Sequence, residues 1–313
     1  MNPKPKHPTV DLVIPVFNEA GVVAQTHARV RAVVDPLPNH FTITYVDDGS
    51  QDVTTEEIRS LDDRRVRVLE LSRNFGHQAA LSAGMDASQA DIVITMDGDG
   101  QHPPEMIPEM ITLIVQGYDI VQTQRVDVVQ PASFKKWTSG LFYRLINTIS
   151  GTRVLPGAAD FRALSRQAVE ALKIMPEYHR FLRGMVSWIG FATVILPYQP
   201  GERISGVSKY SLRKMFHLAM DAIFSFSLVP LYVGLSLGGM LLCLAIVEMM
   251  YVLSFWITGK TSNLAPGWSS LMFVILIVGG MLMVLMGFIG VYVGYIFQEV
   301  KRRPVYIVKK GEE

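Results

Sequence analysis

Residues 91–105 read Asp-Ile-Val-Ile-Thr-Met-Asp-Gly-Asp-Gly-Gln-His-Pro-Pro-Glu. The run up to Met96 is apolar and β-branched, which suits a strand covered on both faces in a parallel sheet. At Asp97 the chemistry changes at once. Two aspartates one residue apart would point to opposite faces of a continuing strand, but Gly98 and Gly100 permit a turn that lets both approach one point. His102-Pro103-Pro104-Glu105 then opens a helix with proline in its first turn. The stretch therefore reads as strand, acidic turn and helix, the repeating unit of an α/β fold.

The same reading extends outward. Asp11–Pro15, Thr42–Val46, Val66–Leu71 and Asp119–Thr123 are further short apolar runs separated by helical or loop patterns, so an α/β domain with a mostly parallel sheet is expected. Ligands of such sheets bind beyond the carboxyl ends of the strands. Polar clusters fall there four times: Phe17-Asn18-Glu19, Asp47-Asp48-Gly49-Ser50, Arg73-Asn74-Phe75-Gly76-His77 and Asp97-Gly98-Asp99-Gly100-Gln101. One candidate site at four aligned strand ends follows.

Several chemistries are excluded. No G-x-G-x-x-G follows the first strand and no phosphate-binding G-x-x-x-x-G-K-[ST] occurs, which removes the common dinucleotide and P-loop readings. The turn at 97–101 begins like a calcium loop, but its glycine position is His102 and its closing acid is Pro108, against the EF-hand pattern. The seven histidines form no H-E-x-x-H, and lone Cys243 supports neither an intramolecular disulfide nor a cysteine zinc site. His77 and His102 read as structural or supporting groups. Taken alone, Asp97 and Asp99 could serve a capping or turn role. At a strand end, two carboxylates with oxygen donors only suit Mg²⁺ or Mn²⁺ held jointly with substrate phosphates.

Composition adds a second part. Of 313 residues, 49% are hydrophobic and 18% charged, and 29 Lys+Arg against 28 Asp+Glu give a net charge of +1. Charged residues normally make up about 25%, and a near-neutral balance gives no case for nucleic acid. Between Asp221 and Lys260 the sole charged residue is Glu248, and between Lys260 and Glu299 there is none. A helix needs about 20 apolar residues to cross a bilayer, so two transmembrane helices are expected at about 228–257 and 269–297. Basic residues before the first (Lys209, Arg213, Lys214) and after the second (Lys301, Arg302, Arg303, Lys309, Lys310) outweigh Lys260 in the connector, which places both termini on the cytoplasmic side. The apolar stretch before the first strand is too short for a signal peptide. Residues 206–227 mix cations with apolar side chains, as an amphipathic interface helix does. Glu248 is either a functional intramembrane carboxylate or a residue near the outer end of a tilted helix. The expected division is a catalytic domain over 1–205, a juxtamembrane segment over 206–227, a two-helix hairpin over 228–298 and a basic tail over 299–313. Glycines 238, 239, 279, 280, 287, 290 and 294 offer packing surfaces for a homo-oligomer.

Val-Ile-Pro-Val-Phe-Asn-Glu-Ala at 13–20, Val-Asp-Asp-Gly-Ser-Gln-Asp at 46–52, Arg-Asn-Phe-Gly-His-Gln-Ala-Ala-Leu-Ser-Ala-Gly at 73–84, Met-Asp-Gly-Asp-Gly-Gln-His-Pro-Pro-Glu at 96–105, Asp-Phe-Arg at 160–162 and Gly-x-Ser-Lys-Tyr at 206–210 together resemble family-two glycosyltransferases of the GT-A fold. Within them the chain is similar to polyprenyl-phosphate glycosyltransferases such as bactoprenol glucosyltransferases and dolichol-phosphate mannose synthase. The missing Q-x-x-R-W motif separates it from processive polysaccharide synthases. The resemblance implies inverting transfer from a nucleotide sugar, UDP-glucose by preference, to undecaprenyl phosphate at the bacterial inner membrane, in service of the cell envelope. Other UDP-sugars and GDP-mannose stay open as donors. It further implies that Pro15, Asn18, Glu19 and Gln101 line the nucleotide pocket, that Asp48 reads the base, and that Asp97 and Asp99 are the metal pair. Arg125, Asp160 and Arg162 would stand near phosphate, sugar and acceptor, and Arg203, Ser208 and Lys209 near the lipid phosphate. For Arg125 a solvated surface position competes, and for Asp160 and Arg162 a buried structural ion pair. A membrane-tethered nucleotidyltransferase and a non-catalytic lipid-binding scaffold are the rival functions.

Overall fold

The computed structural model describes residues 7–126, 155, 157–175, 177–178, 180–199, 229–259 and 267–309. The five apolar runs fold as strands: β1 Val10–Val16, β2 Phe41–Asp47, β3 Val66–Glu70, β4 Ile92–Thr95 and β5 Ile120–Arg125. Helices α1 Val23–Val34, α2 Thr54–Arg59, α3 His77–Ala87 and α4 Ile107–Val115 alternate with them. A single 3-10 turn over Pro104–Met106 leads into α4, with prolines where the first turn needs no N–H donor.

Two further strands were not foreseen from the sequence. β6 Ala158–Ser165 lies between β4 and β5 and runs antiparallel to both, and β7 Thr193–Tyr198 pairs parallel with β5. Between them lie α5 Arg166–Lys173 and α6 Leu182–Trp188. Among the described residues the sheet has seven strands in the order β3-β2-β1-β4-β6-β5-β7. Its β3-β2-β1-β4 half is all parallel, so the four expected strand ends do lie along one edge. Both faces of these strands are buried: Leu12, Ile14, Ile43, Tyr45, Ile92, Ile94 and Phe161 on one, and Val13, Val46, Val93 and Leu164 on the other. Each such side chain contributes about 1.5–3 kcal/mol on leaving water.

Beyond the sheet, α7 Val229–Ile257 and α8 Trp268–Val300 are long apolar helices of 29 and 33 residues. They touch each other: a Cβ at Gly234 would come within 2.1 Å of Leu285 Cδ2, so a larger residue there would push that leucine side chain aside. Among the described residues, one stretch, Ile277–Val300, is long and apolar enough to cross a membrane. Glu248 falls within α7. The amphipathic segment expected at 206–227 lies outside the described residues.

The chain divides into two compact units, residues 1–212 with 303–313, and residues 213–302. The tail that follows α8 thus belongs to the sheet-containing unit. Arg302 adopts φ +48° just past the end of α8, the left-handed turn that commonly ends a helix, and Pro304 follows. Val308 then forms an antiparallel bridge with Leu71 at the free edge of β3.

Candidate active site

Each loop at the parallel strand ends is held by its neighbours. After β1, Asn18 adopts φ +52°; its N–H donates to Ser50 Oγ at 3.0 Å, and its Oδ1 accepts from the Gln51 N–H at 2.9 Å. After β2, the Asp47 carboxylate accepts from the Ser50 N–H at 2.9 Å and from the Thr55 hydroxyl at 2.7 Å. Gly49 sits at φ +72°, and a Cβ there would lie 2.6 Å from the Arg73 carbonyl carbon, so only glycine fits. Buried Asp48 accepts the N–H groups of Phe75 and Gly76 at 2.7 and 2.9 Å. The loop after β2 therefore fixes the loop after β3.

The turn after β4 is pinned from behind. Thr26 Oγ1 donates to the Gly98 carbonyl at 3.0 Å and Arg29 Nη1 to the Gly100 carbonyl at 2.9 Å. The Asp97 N–H donates to His102 Nδ1 at 3.0 Å. His102 is buried, stacked on Phe161 at 5.1 Å and edge-on to Tyr198 at 5.9 Å. In front, His77 Nε2 lies 2.8 Å from Asp97 Oδ1. Next along α3, Gln78 Nε2 donates to Asp160 Oδ2 at 3.3 Å, and Gln78 Oε1 accepts the Leu182 N–H at 3.1 Å. Asp160, on β6, is gripped by two guanidinium groups. Arg162 Nη2 bonds its Oδ1, and Arg183 reaches both oxygens, at 3.2 Å from Nε and 2.9 Å from Nη2. A continuous polar chain runs from Asp97 through His77, Gln78 and Asp160 to Arg183.

Residues 11–173 match the family model described as glycosyl transferase family 2. The chain belongs to that family. Glycosyltransferase YkcC of Bacillus subtilis (strain 168), described as uncharacterized, is 38% identical over 98% of this chain and 95% of its own length. The SfII prophage-derived bactoprenol glucosyl transferase of Shigella flexneri is 37% identical over 96% of this chain and 98% of its own length. A solved glucosyl-3-phosphoglycerate synthase from Mycobacterium tuberculosis, in complex with Mn²⁺, uridine-diphosphate and phosphoglyceric acid, aligns at a TM-score of 0.47 and 17% identity, covering 69% of this chain and 76% of that one. That last likeness is too distant to bear on chemistry.

The site of this glycosyltransferase draws its expected residues together unevenly. Pro15, Asn18, Glu19, Asp48, Asp97, Asp99 and Gln101 all lie at the carboxyl ends of β1, β2 and β4. Arg125 ends β5 and is exposed. Asp160 faces the chain of polar groups just described. Arg162 is different: its side chain is only 2% exposed, and besides Asp160 it donates to the Ala159 and Leu182 carbonyls. The buried ion pair weighed from the sequence is thus present. Arg203, Ser208 and Lys209 lie outside the described residues. Three groups carry more of the geometry than their sequence context suggested, namely His77, Gln78 and Arg183. The signal for Arg183 was faint, a cation among Leu182, Met185 and Val186, which are buried.

Electrostatics follow from the packing. Burial pushes the Asp97 carboxyl up, but the hydrogen bond from His77 and the nearby His102 outweigh it, so Asp97 is held below the usual carboxylate range. Burial likewise opposes ionisation of Asp160, and the charges of Arg183 and Arg162 overcome it, holding Asp160 far below that range. A carboxylate so stabilised is a weak base. Burial raises Asp48 despite its two backbone donors. Among the described residues no group of three or more His, Cys, Asp and Glu side chains is placed to hold a metal ion by itself. Asp99 Oδ1 accepts the Gln101 N–H at 3.0 Å; Asp97 and Asp99 are the two carboxylates of this turn, and oxygen donors of that kind would suit a divalent cation whose shell substrate oxygens complete.

Proposed function

We propose that this glycosyltransferase moves a sugar from a nucleoside diphosphate to a polyprenyl phosphate at a membrane surface. The observation that carries the reading is alignment with a bactoprenol glucosyl transferase over almost the whole length of both chains, apolar C-terminal helices included. UDP-glucose is the proposed donor and undecaprenyl phosphate the proposed acceptor. α7 and α8 are read as a membrane hairpin in the bacterial inner membrane, with the catalytic domain and both termini cytoplasmic.

In this reading Pro15, Asn18, Glu19 and Gln101 line the nucleotide pocket, and Asp48, which also holds the 75–76 backbone, reads the base. Asp97 and Asp99 hold the divalent cation, which when bound offsets the charge that builds on the leaving diphosphate. His77 keeps the Asp97 carboxylate oriented. The nucleophile is a phosphate monoester whose second pKa is near 6, so it is largely dianionic at neutral pH and needs no strong base. Asp160, held ionised between two arginines, orients Arg183 toward the acceptor phosphate; Arg125 faces the same charge, and Arg162 supports from within the core. Arg203, Ser208 and Lys209 are assigned to closing over the diphosphate and the lipid phosphate. A single in-line displacement converts an α-linked donor into a β-linked product.

The test is incubation of purified protein with undecaprenyl phosphate and a panel of nucleotide sugars, weighing the lipid product and identifying the released nucleotide. A hexosyl-phosphate lipid with nucleoside diphosphate is expected, whereas pyrophosphate release would indicate nucleotidyl transfer. Asp99→Ala should abolish metal-dependent transfer while the protein stays folded and membrane-bound. Full activity in that variant would overturn the metal assignment.

A further inference from the structure

The segment after α8 packs against the sheet-containing unit. The Ser72 N–H donates to the Ile307 carbonyl and the Lys309 N–H to the Glu70 carbonyl, each at 2.8 Å, around the Leu71 and Val308 bridge. Lys309 Nζ also lies 3.5 Å from Glu70 Oε2. A second anchor lies on α3, where the half-buried Tyr306 hydroxyl donates to Asp86 Oδ2 at 2.8 Å, with Arg180 Nη1 3.7 Å from the same oxygen. β3 is the terminal strand of the sheet, and a bare edge presents unpaired backbone groups. The tail covers part of it.

What matters is the segment between the two anchors. Ser72 and Asp86 bracket the Phe75 and Gly76 amides that hold Asp48, His77 that holds Asp97, and Gln78 that holds Asp160. One short segment thus contacts both ends of the stretch from which three of the site's carboxylates are positioned. The segment bonds the backbone at Glu70 and Ser72, where β3 ends and the loop begins.

We propose that residues 304–309 are a positioning strap for the active site: when docked, they hold residues 72–86 so that the donor pocket is preformed. Tyr306 and the Lys309 N–H are its positioning groups, acting through the 72–78 backbone rather than by touching substrate. The link to donor binding rests on the function proposed above; the link to the 72–78 backbone does not.

The test uses the full chain in lipid nanodiscs, with Tyr306→Phe, which removes the hydroxyl, and Lys309→Pro, which removes the N–H at a sheet edge. Lys309→Arg, which keeps the N–H and the cation, serves as the rescue. Hydrogen exchange at the Phe75 and Gly76 amides should quicken about fivefold in the first two variants, the factor expected when one part-buried hydrogen bond is lost, with β1 and β2 amides unchanged. Lys309→Arg should match the wild type. With UDP-glucose and undecaprenyl phosphate, the donor KM should rise by a similar factor while kcat at saturating donor is retained. Unchanged exchange at 72–78 in a variant whose tail amides have become labile would overturn the strap, and so would a fall in kcat at constant donor KM. If the wild type turns over no nucleotide sugar, the proposed function fails and the exchange result alone decides the strap.

Discussion

Asp160, Arg162 and Arg183 show how one residue's meaning depends on its surroundings. Asp160 and Arg162 are neighbours on one face of β6 and read from the sequence as a pair. Arg183 enters only because α6 delivers it from 23 positions away. The two arginines should respond differently to the same substitution. Arg183→Lys keeps a charge but loses the two-pronged grip on Asp160, so kcat/KM for the lipid phosphate is expected to fall on the order of tenfold to a hundredfold with little change in melting temperature. Arg162→Lys instead disturbs a buried ion pair whose complete loss would cost about 3–5 kcal/mol, and thermal unfolding should report a part of that loss. The Asp97-Gly98-Asp99 turn, by contrast, was legible at once, because its chemistry is carried by adjacent residues at a strand end.

At the scale of elements, α1 ties the acidic turn to a charge network at the far end of the domain. Thr26 and Arg29 hold the turn, while His27 and Arg31 face Asp63, whose carboxylate receives Arg65 Nε at 2.9 Å and Nη2 at 2.7 Å. The Arg65 guanidinium lowers the Asp63 carboxyl to about 2, against the opposing effect of burial. A folded-state value below the unfolded one means that the stabilisation is fully present above the ordinary carboxylate pKa and is lost as pH falls through about 2. Asp63→Asn should therefore cost about 2 kcal/mol at neutral pH and flatten the acid side of a stability-against-pH curve measured by urea unfolding. Burial lowers the His27 pKa, so charging it in acid also opposes folding, and that component should survive in the variant. β6 escaped the sequence reading because Asp160 and Arg162 interrupt its apolar pattern; in the sheet each neutralises the other, which lets the strand be wholly buried.

For the molecule as a whole, the two compact units divide the composition that looked anomalous as an average. The polar share belongs to the sheet domain, and the apolar excess to α7 and α8, where Leu235, Met283 and Met286 stay largely exposed. Such surfaces are costly in water. The protein is expected to sediment with membranes, to resist extraction by high salt or alkaline carbonate, and to be released by detergent; recovery in the salt wash would contradict a membrane-embedded hairpin. The tail strap joins this scale to the first, since the residues that follow α8 also bracket the segment holding Asp48, Asp97 and Asp160.

The sequence by itself determined the α/β class, the strands β1 to β5, the meeting of four polar loops and the two apolar C-terminal stretches, because each is written in local periodicity or in neighbouring residues. Only the tertiary structure decided that β6 inserts antiparallel, that Arg183 rather than Arg162 carries the more accessible guanidinium at Asp160, and that the tail returns to β3. Those outcomes rest on contacts between residues from 23 to more than 200 positions apart, made by side chains and backbone groups whose partners no local pattern encodes.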